Sequence, residues 1–213
     1  MSVNSEIKQY VVENILPVYS TFDEGHNEKH ILEVTQRSFD LYNDIKNEYD
    51  LDINMIYIIA SYHDIGMKIS RENHPFYSSE ILTKDENLKK WFNSNQIRTM
   101  AEAVADHSTS SGHVPRSIYG KIVSDADKDT NIDVGLLRAW NYSLNHFPNF
   151  SYEERIEDLH KVIVQRFGDS STGGQSLVKF YISSSRNKKF VEEMLLYAHN
   201  KKALEIKMSE LVK

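Results

Sequence analysis

The stretch IIASYHDIG, Ile58–Gly66, sets an imidazole and a carboxylate side by side at the end of an apolar run. Ile53, Ile56, Ala60 and His63 recur at steps of three and four, the spacing that keeps side chains on one face of a helix, so His63 extends an apolar stripe. Asp64 continues the neighbouring row of Tyr57 and Ala60, and Gly66 offers a helix stop. A carboxylate buried beside an imidazole is costly unless something pairs with it, and a bound cation would meet that cost. Taken alone, such a pair is more often a core histidine beside a solvated aspartate than a metal site.

Other segments repeat the theme. His26 and His30 lie four residues apart, and His30 begins a helical pattern carried by Ile31, Val34 and Leu41. His74 precedes Pro75, a residue suited to a first helical turn. Ile97, Ala101, Val104 and His107 form another apolar face with its histidine near the C-terminal end. Asp125, Asp127 and Asp129 then close the short apolar stretch IYGKIVSDADKDT, Ile118–Thr130. Helix ends therefore collect histidines and aspartates, in a chain with nine histidines.

This order resembles the HD superfamily of metal-dependent phosphohydrolases, which has a histidine on an early helix, an adjacent His-Asp pair on a later one, and a final aspartate in an Ala-Asp step followed by a basic residue. The matching positions are His30, His63, Asp64 and Asp127, the last within Ala126-Asp127-Lys128. Some relatives add two histidines that hold a second metal, and His74 and His107 look like those two. The family's frequent HDIGK reads HDIGMK here, which moves the lysine to Lys68, and Asp125 stays open as an alternative to Asp127.

The resemblance implies an all-α fold: a single helical domain with an HD-like metal-binding core at about 22–130 and a C-terminal helical extension at about 131–213. It also implies one divalent ion, or two with Asp64 as the bridge, drawn from manganese, iron, cobalt, nickel, zinc or magnesium. The expected activity is hydrolysis of a phosphate ester or anhydride, a nucleotide first among them, by metal-activated water. Asp64 and Lys68 are the candidate catalytic residues, and Arg71, Arg116 and Lys121 the candidate phosphate-binding cations. Each of those cations is equally at home on a solvated surface. Two other classes share the pattern: a di-iron oxygenase of HD-type fold, and a metal- or nucleotide-binding sensor without turnover.

Composition narrows the field. The 213 residues, 40% of them apolar, can furnish a sizeable core. A formal charge of −6 argues against a general grip on nucleic acid and leaves room for a local phosphate pocket, so the expected partner is a small phosphorylated molecule. The absence of cysteine excludes disulfides, thiolate ligands and cysteine nucleophiles, so any metal site must use nitrogen and oxygen. The N-terminal stretch lacks the apolar run of a signal peptide, and no segment approaches the roughly 20 apolar residues of a membrane span. A cytoplasmic protein is expected, and a homo-oligomer is left open.

The second half is also helical in pattern. Leu136, Leu137, Trp140 and Leu144 mark one helix, Tyr152–Phe167 a second opened by Ser151, and Val191, Leu195, Ala198 and Leu204 a last one. LVKFYI, Leu177–Ile182, reads as a short strand or a buried helical turn. Gly168–Ser176 has two of the glycines of a phosphate loop, but Gly174 and Gln175 stand where lysine and a hydroxyl residue are needed. His146, His160 and His199 read as surface or packing residues, the C-terminal lysines as a solvated helix face, and Tyr62, Phe76, Tyr77 and Trp140 as core aromatics before base-stacking ones.

Overall fold

The computed structural model describes residues 2–23, 25–108 and 113–213, and among these the regular structure is entirely helical. The chain divides into two compact units, Met1–Lys128 and Asp129–Lys213.

The first unit holds α1 (Ser5–Asn14), α2 (Glu28–Ile45), α3 (Ile53–Tyr62), α4 (His74–Lys84), α5 (Ser94–Asp106) and α6 (Ile118–Asp127). Their starts are set by local chemistry. The side chains of Asn4, Asn27, Asp52, Asn93 and Ser117 each accept a hydrogen bond from an N–H of the first turn, and Asn93 forms a reciprocal box with Gln96. Each such cap stabilises its helix by about 1 kcal/mol.

Helix α3 is the centre of this unit. The stripe ending at His63 predicts one buried face, yet every residue from Met55 to Tyr62 is buried. The reason is that α3 packs against α1, α2, α4, α5 and α6, and an apolar sequence on all sides suits a helix surrounded by others. Burying an isoleucine such as Ile56, Ile58 or Ile59 completely contributes roughly 1.5–3 kcal/mol each.

The helix also stops earlier than the glycine suggests. It ends at Tyr62, and Ile65–Lys68 form a short 3₁₀ turn. Gly66 serves packing instead: a Cβ there would stand 2.4 Å from the carbonyl oxygen of His74 and 2.5 Å from the nitrogen of Ser78. Only a residue without a side chain lets the 3₁₀ turn lie directly on the start of α4.

The second unit holds α7 (Ile132–His146), α8 (Tyr152–Phe167), α9 (Ser185–His199) and α10 (Lys201–Leu211). Its core gathers Leu136 and Trp140, Ile156, Leu159 and Ile163, and Phe190, Met194, Leu204 and Met208. The pattern from Val191 to Leu204 predicts one helix, but Asn200 divides it, ending α9 and capping α10 by accepting from the N–H of Ala203 at 3.1 Å. The segment 177–182 is neither strand nor helix. It has no strand to pair with among the described residues, and Leu177 is exposed. No described helix is long and apolar enough to cross a membrane.

Candidate metal centre

Six side chains from five helix ends meet in the first unit. His30 is in the first turn of α2, His63 follows the last residue of α3 with Asp64 next to it, His74 opens α4, His107 follows the last residue of α5, and Asp127 is the last residue of α6. Asp64 Oδ2 lies 3.2 Å from His63 Nε2 and 3.6 Å from His30 Nε2, while Oδ1 lies 3.2 Å from His74 Nε2 and 3.5 Å from His107 Nε2. Asp127 Oδ1 faces the first pair, 3.2 Å from His30 and 3.6 Å from His63. The two oxygens of Asp64 thus look at different histidine pairs.

Helix ends explain why the imidazoles aim this way. The last turn of a helix leaves carbonyls without an intrahelical partner. His63 Nδ1 donates to the carbonyl of Ala60 at 2.8 Å, and His107 Nδ1 to that of Val104 at 2.6 Å; His74 Nδ1 donates to the Arg71 carbonyl at 2.8 Å. A carbonyl can only accept, so Nδ1 carries the proton in each ring and Nε2 presents a lone pair to the cluster.

Lone pairs then face lone pairs. The Nε2 atoms of His30 and His63 are buried without a hydrogen-bond partner, and those of His74 and His107 stand 3.2 Å apart. Acceptors so arranged need positive charge between them, either protons or a cation. Burial pulls the imidazole of His63 down, but the carboxylates of Asp64 and Asp127 outweigh it and hold it well above its ordinary value. The same balance raises His30 and His74. Burial pushes Asp64 and Asp127 up, and the histidines around them more than reverse this, so both carboxyls lie below the usual carboxylate range. Two atom sets, His30 with His63 and Asp127, and His63 with Asp64 and His107, are close enough to share an ion. The donors are nitrogen and oxygen in the mixture that divalent first-row metals accept, so the residues fit such a group. Three helix C-termini ending at the cluster favour positive charge further.

The cluster has a floor and a mouth. His63, Asp64 and His107 are at most 4% exposed in their side chains, whereas His30, His74 and Asp127 reach 16%, 18% and 32%. The Asp125 alternative has a different environment: its carboxylate is buried and lies 3.2 Å from Lys128 Nζ.

The candidate phosphate-binding cations are not all brought to the cluster. Lys68 is exposed at the end of the 3₁₀ turn that follows Asp64. Arg71 is exposed and pairs with Asp23, while its own carbonyl orients His74. Arg116 grips Asp106 through Nε and Nη2, the latter at 2.8 Å, one residue before His107. Lys121 lies six residues, about 9 Å of helix rise, before Asp127. Sequence reasoning passed over Asp23 and treated His26 only as part of a spacing. His26 Nδ1 is 2.7 Å from Asp23 Oδ1, and its ring centroid is 5.9 Å from that of His30.

Outside this unit, His146 donates to the Tyr142 carbonyl, His160 is bonded to the Ala198 carbonyl, and His199 lies 3.5 Å from Asp169. Tyr62 is core, fully buried with its hydroxyl on Asp85, whereas Phe76 is 60% exposed.

Residues 27–132 match the family model of the HD domain. A search of solved structures finds a predicted HD superfamily hydrolase from an uncultured Thermotogales bacterium, 22% identical, with 75% of this chain and 86% of that chain covered at a TM-score of 0.47. No curated protein matches the chain.

Proposed function

As this chain is an HD-domain protein, with that domain at residues 27–132, and HD proteins form a superfamily of metal-dependent hydrolases, we propose that it is a cytoplasmic phosphohydrolase acting on a nucleotide or related phosphate ester or anhydride. The observation that carries the reading is the division of Asp64, one oxygen toward His30 and His63 and the other toward His74 and His107. In this reading His30, His63, Asp64 and Asp127 would hold one divalent ion, and His74 and His107, with Asp64, would hold a second. A bound divalent ion supplies Lewis-acid polarisation of a phosphoryl oxygen and acidifies water near neutral pH.

The protein's own part is charge and position. Asp64 and Asp127 remain anionic, which keeps the ion in place, and the Nδ1 hydrogen bonds stop the imidazoles from turning away. The exposed flanks of His30, His74 and Asp127 form the side from which substrate enters. Lys68 and Arg71, which follow the His-Asp pair, neutralise the phosphate as it arrives. Arg116 acts less directly, since Asp106 occupies its fork, and Lys121 stands back along α6.

The test is phosphate and pyrophosphate release from nucleotides, dinucleotides and simple phosphomonoesters. It uses metal-stripped protein resupplied with manganese, iron, zinc or magnesium, beside Asp64→Ala. Metal-dependent release that vanishes in the variant is the expected result. Two ions bound per chain with no release from any substrate would refute the reading, and oxygen uptake by the iron form would then point to the oxygenase class.

A further inference from the structure

Asp23 and His26, which have no part in the proposed metal chemistry, form a cluster with Arg71. Asp23 lies between the first helical turns of the chain and α2, and Arg71 between the 3₁₀ turn and α4, 48 residues away in sequence. One oxygen of Asp23 holds Nη1 of Arg71, and the other accepts from the N–H of Gly25 at 3.0 Å and lies 2.7 Å from His26 Nδ1. Both ends are tied to the mouth of the centre. His26 stands edge-on to the His30 ring, and the Arg71 carbonyl holds His74. His30 and His74 belong to opposite histidine pairs, so the Asp23–Arg71 pair links the two exposed flanks through which a substrate must pass.

We propose that Asp23 is a placeholder anion: it parks Arg71 at the mouth, and a terminal phosphate group of the substrate takes its place on the guanidinium. The side chains of Asp23 and Arg71 are 49% and 67% exposed, and an ion pair this open is weak and exchanges readily. A phosphate dianion offers Arg71 more charge than a carboxylate and a matching two-pronged geometry. Asp23 is not stranded by the exchange, because His26 and the Gly25 N–H remain on its other oxygen. The geometry favours a terminal phosphate over an internal diester. A terminal group has three non-bridging oxygens, enough to serve both the metal centre and Arg71, whereas a diester has two and a single charge. The inference rests on the hydrolase reading for the statement that phosphate is the substrate group.

The experiment measures binding of inorganic phosphate and of dimethyl phosphate to the full-length, manganese-loaded protein by calorimetry, independently of turnover. Arg71→Ala should weaken phosphate binding about tenfold. Asp23→Asn should tighten it about threefold or more, since the competing anion is gone. The double variant should match Arg71→Ala, and dimethyl phosphate should show little difference among all four proteins. Unchanged or weaker phosphate binding in Asp23→Asn would overturn the placeholder role, as would unchanged binding in Arg71→Ala. Equal losses for both probes in Arg71→Ala would overturn the selectivity for terminal phosphate. A protein that turns over no substrate but shows these binding differences would refute the hydrolase reading and leave the exchange standing.

Discussion

Asp64→Asn tests the metal centre at its most informative atom pair. Asparagine keeps the shape and one oxygen ligand but loses the negative charge that faces four imidazoles at 3.2–3.6 Å. One pair of unit charges about 4 Å apart at an effective dielectric of about 20 is worth about 4 kcal/mol, or nearly three powers of ten in affinity. A divalent ion can only enlarge that loss. At a metal concentration about 100-fold above its dissociation constant, the wild-type protein gains about 2.7 kcal/mol of stability, which raises the melting temperature of the metal-binding unit by about 5–10 °C. The same concentration lies below the dissociation constant of the variant, which should gain less than about 1 °C. Thermal melting of chelator-treated protein with and without added manganese or zinc reads the gain, and elemental analysis after desalting reads the bound metal. If Asp64→Asn keeps both the stoichiometry and the melting gain of the wild type, the cluster is not the metal centre and the argument from Asp64 fails.

Asp127→Asn should lose bound metal in the same elemental analysis, whereas Asp125→Asn should retain it and show only a lower melting temperature, because Asp125 pairs with Lys128. The metal-free protein should have a pH optimum of stability. His63 is raised above its unfolded value, so its contribution is complete below about pH 6.5 and is lost as pH rises through its folded value; Asp64 and Asp127 are lowered, so theirs is present above about pH 4 and lost as pH falls. Melting curves in chelator from pH 4 to 9 should therefore peak in the weakly acidic range, and metal should stabilise most toward the alkaline side, where it no longer competes with protons. Gly66→Ala should cost about 1–3 kcal/mol in denaturant melts and weaken the ion near His74 first, since the new methyl presses on the His74 and Ser78 backbone. Arg155→Met should destabilise the second unit by about 2 kcal/mol without changing metal content, because Arg155 is buried there and donates to Ser143 and to the Phe147 carbonyl.

Much of this protein is local and therefore readable along the chain. Periodicity and caps are interactions between neighbours, which is why Tyr152–Phe167 is the helix its pattern predicts and why Pro75 marks the start of α4. The same local reading placed His30, His63, His74, His107 and Asp127 at helix ends. The split of the last pattern at Asn200 is a local cap that periodicity alone does not register, whereas LVKFYI is irregular because a strand requires a partner from elsewhere in the chain.

The residues along the chain are enough to specify helices and a set of nitrogen and oxygen donors, in an order that fits a metal-dependent enzyme. Which atoms face one another depends on the packing of separate segments. Asp125 and Asp127 are two residues apart, about 200° around a helix, so only one can look at the histidines; the packing of α6 against α2 and α5 turned Asp127 toward them. The division of Asp64 between two histidine pairs and the reach from Asp23 to Arg71 likewise appear only after folding. Periodicity gives the side of a helix that is buried, but the direction of a single oxygen is set by the neighbours that several separate segments bring to it.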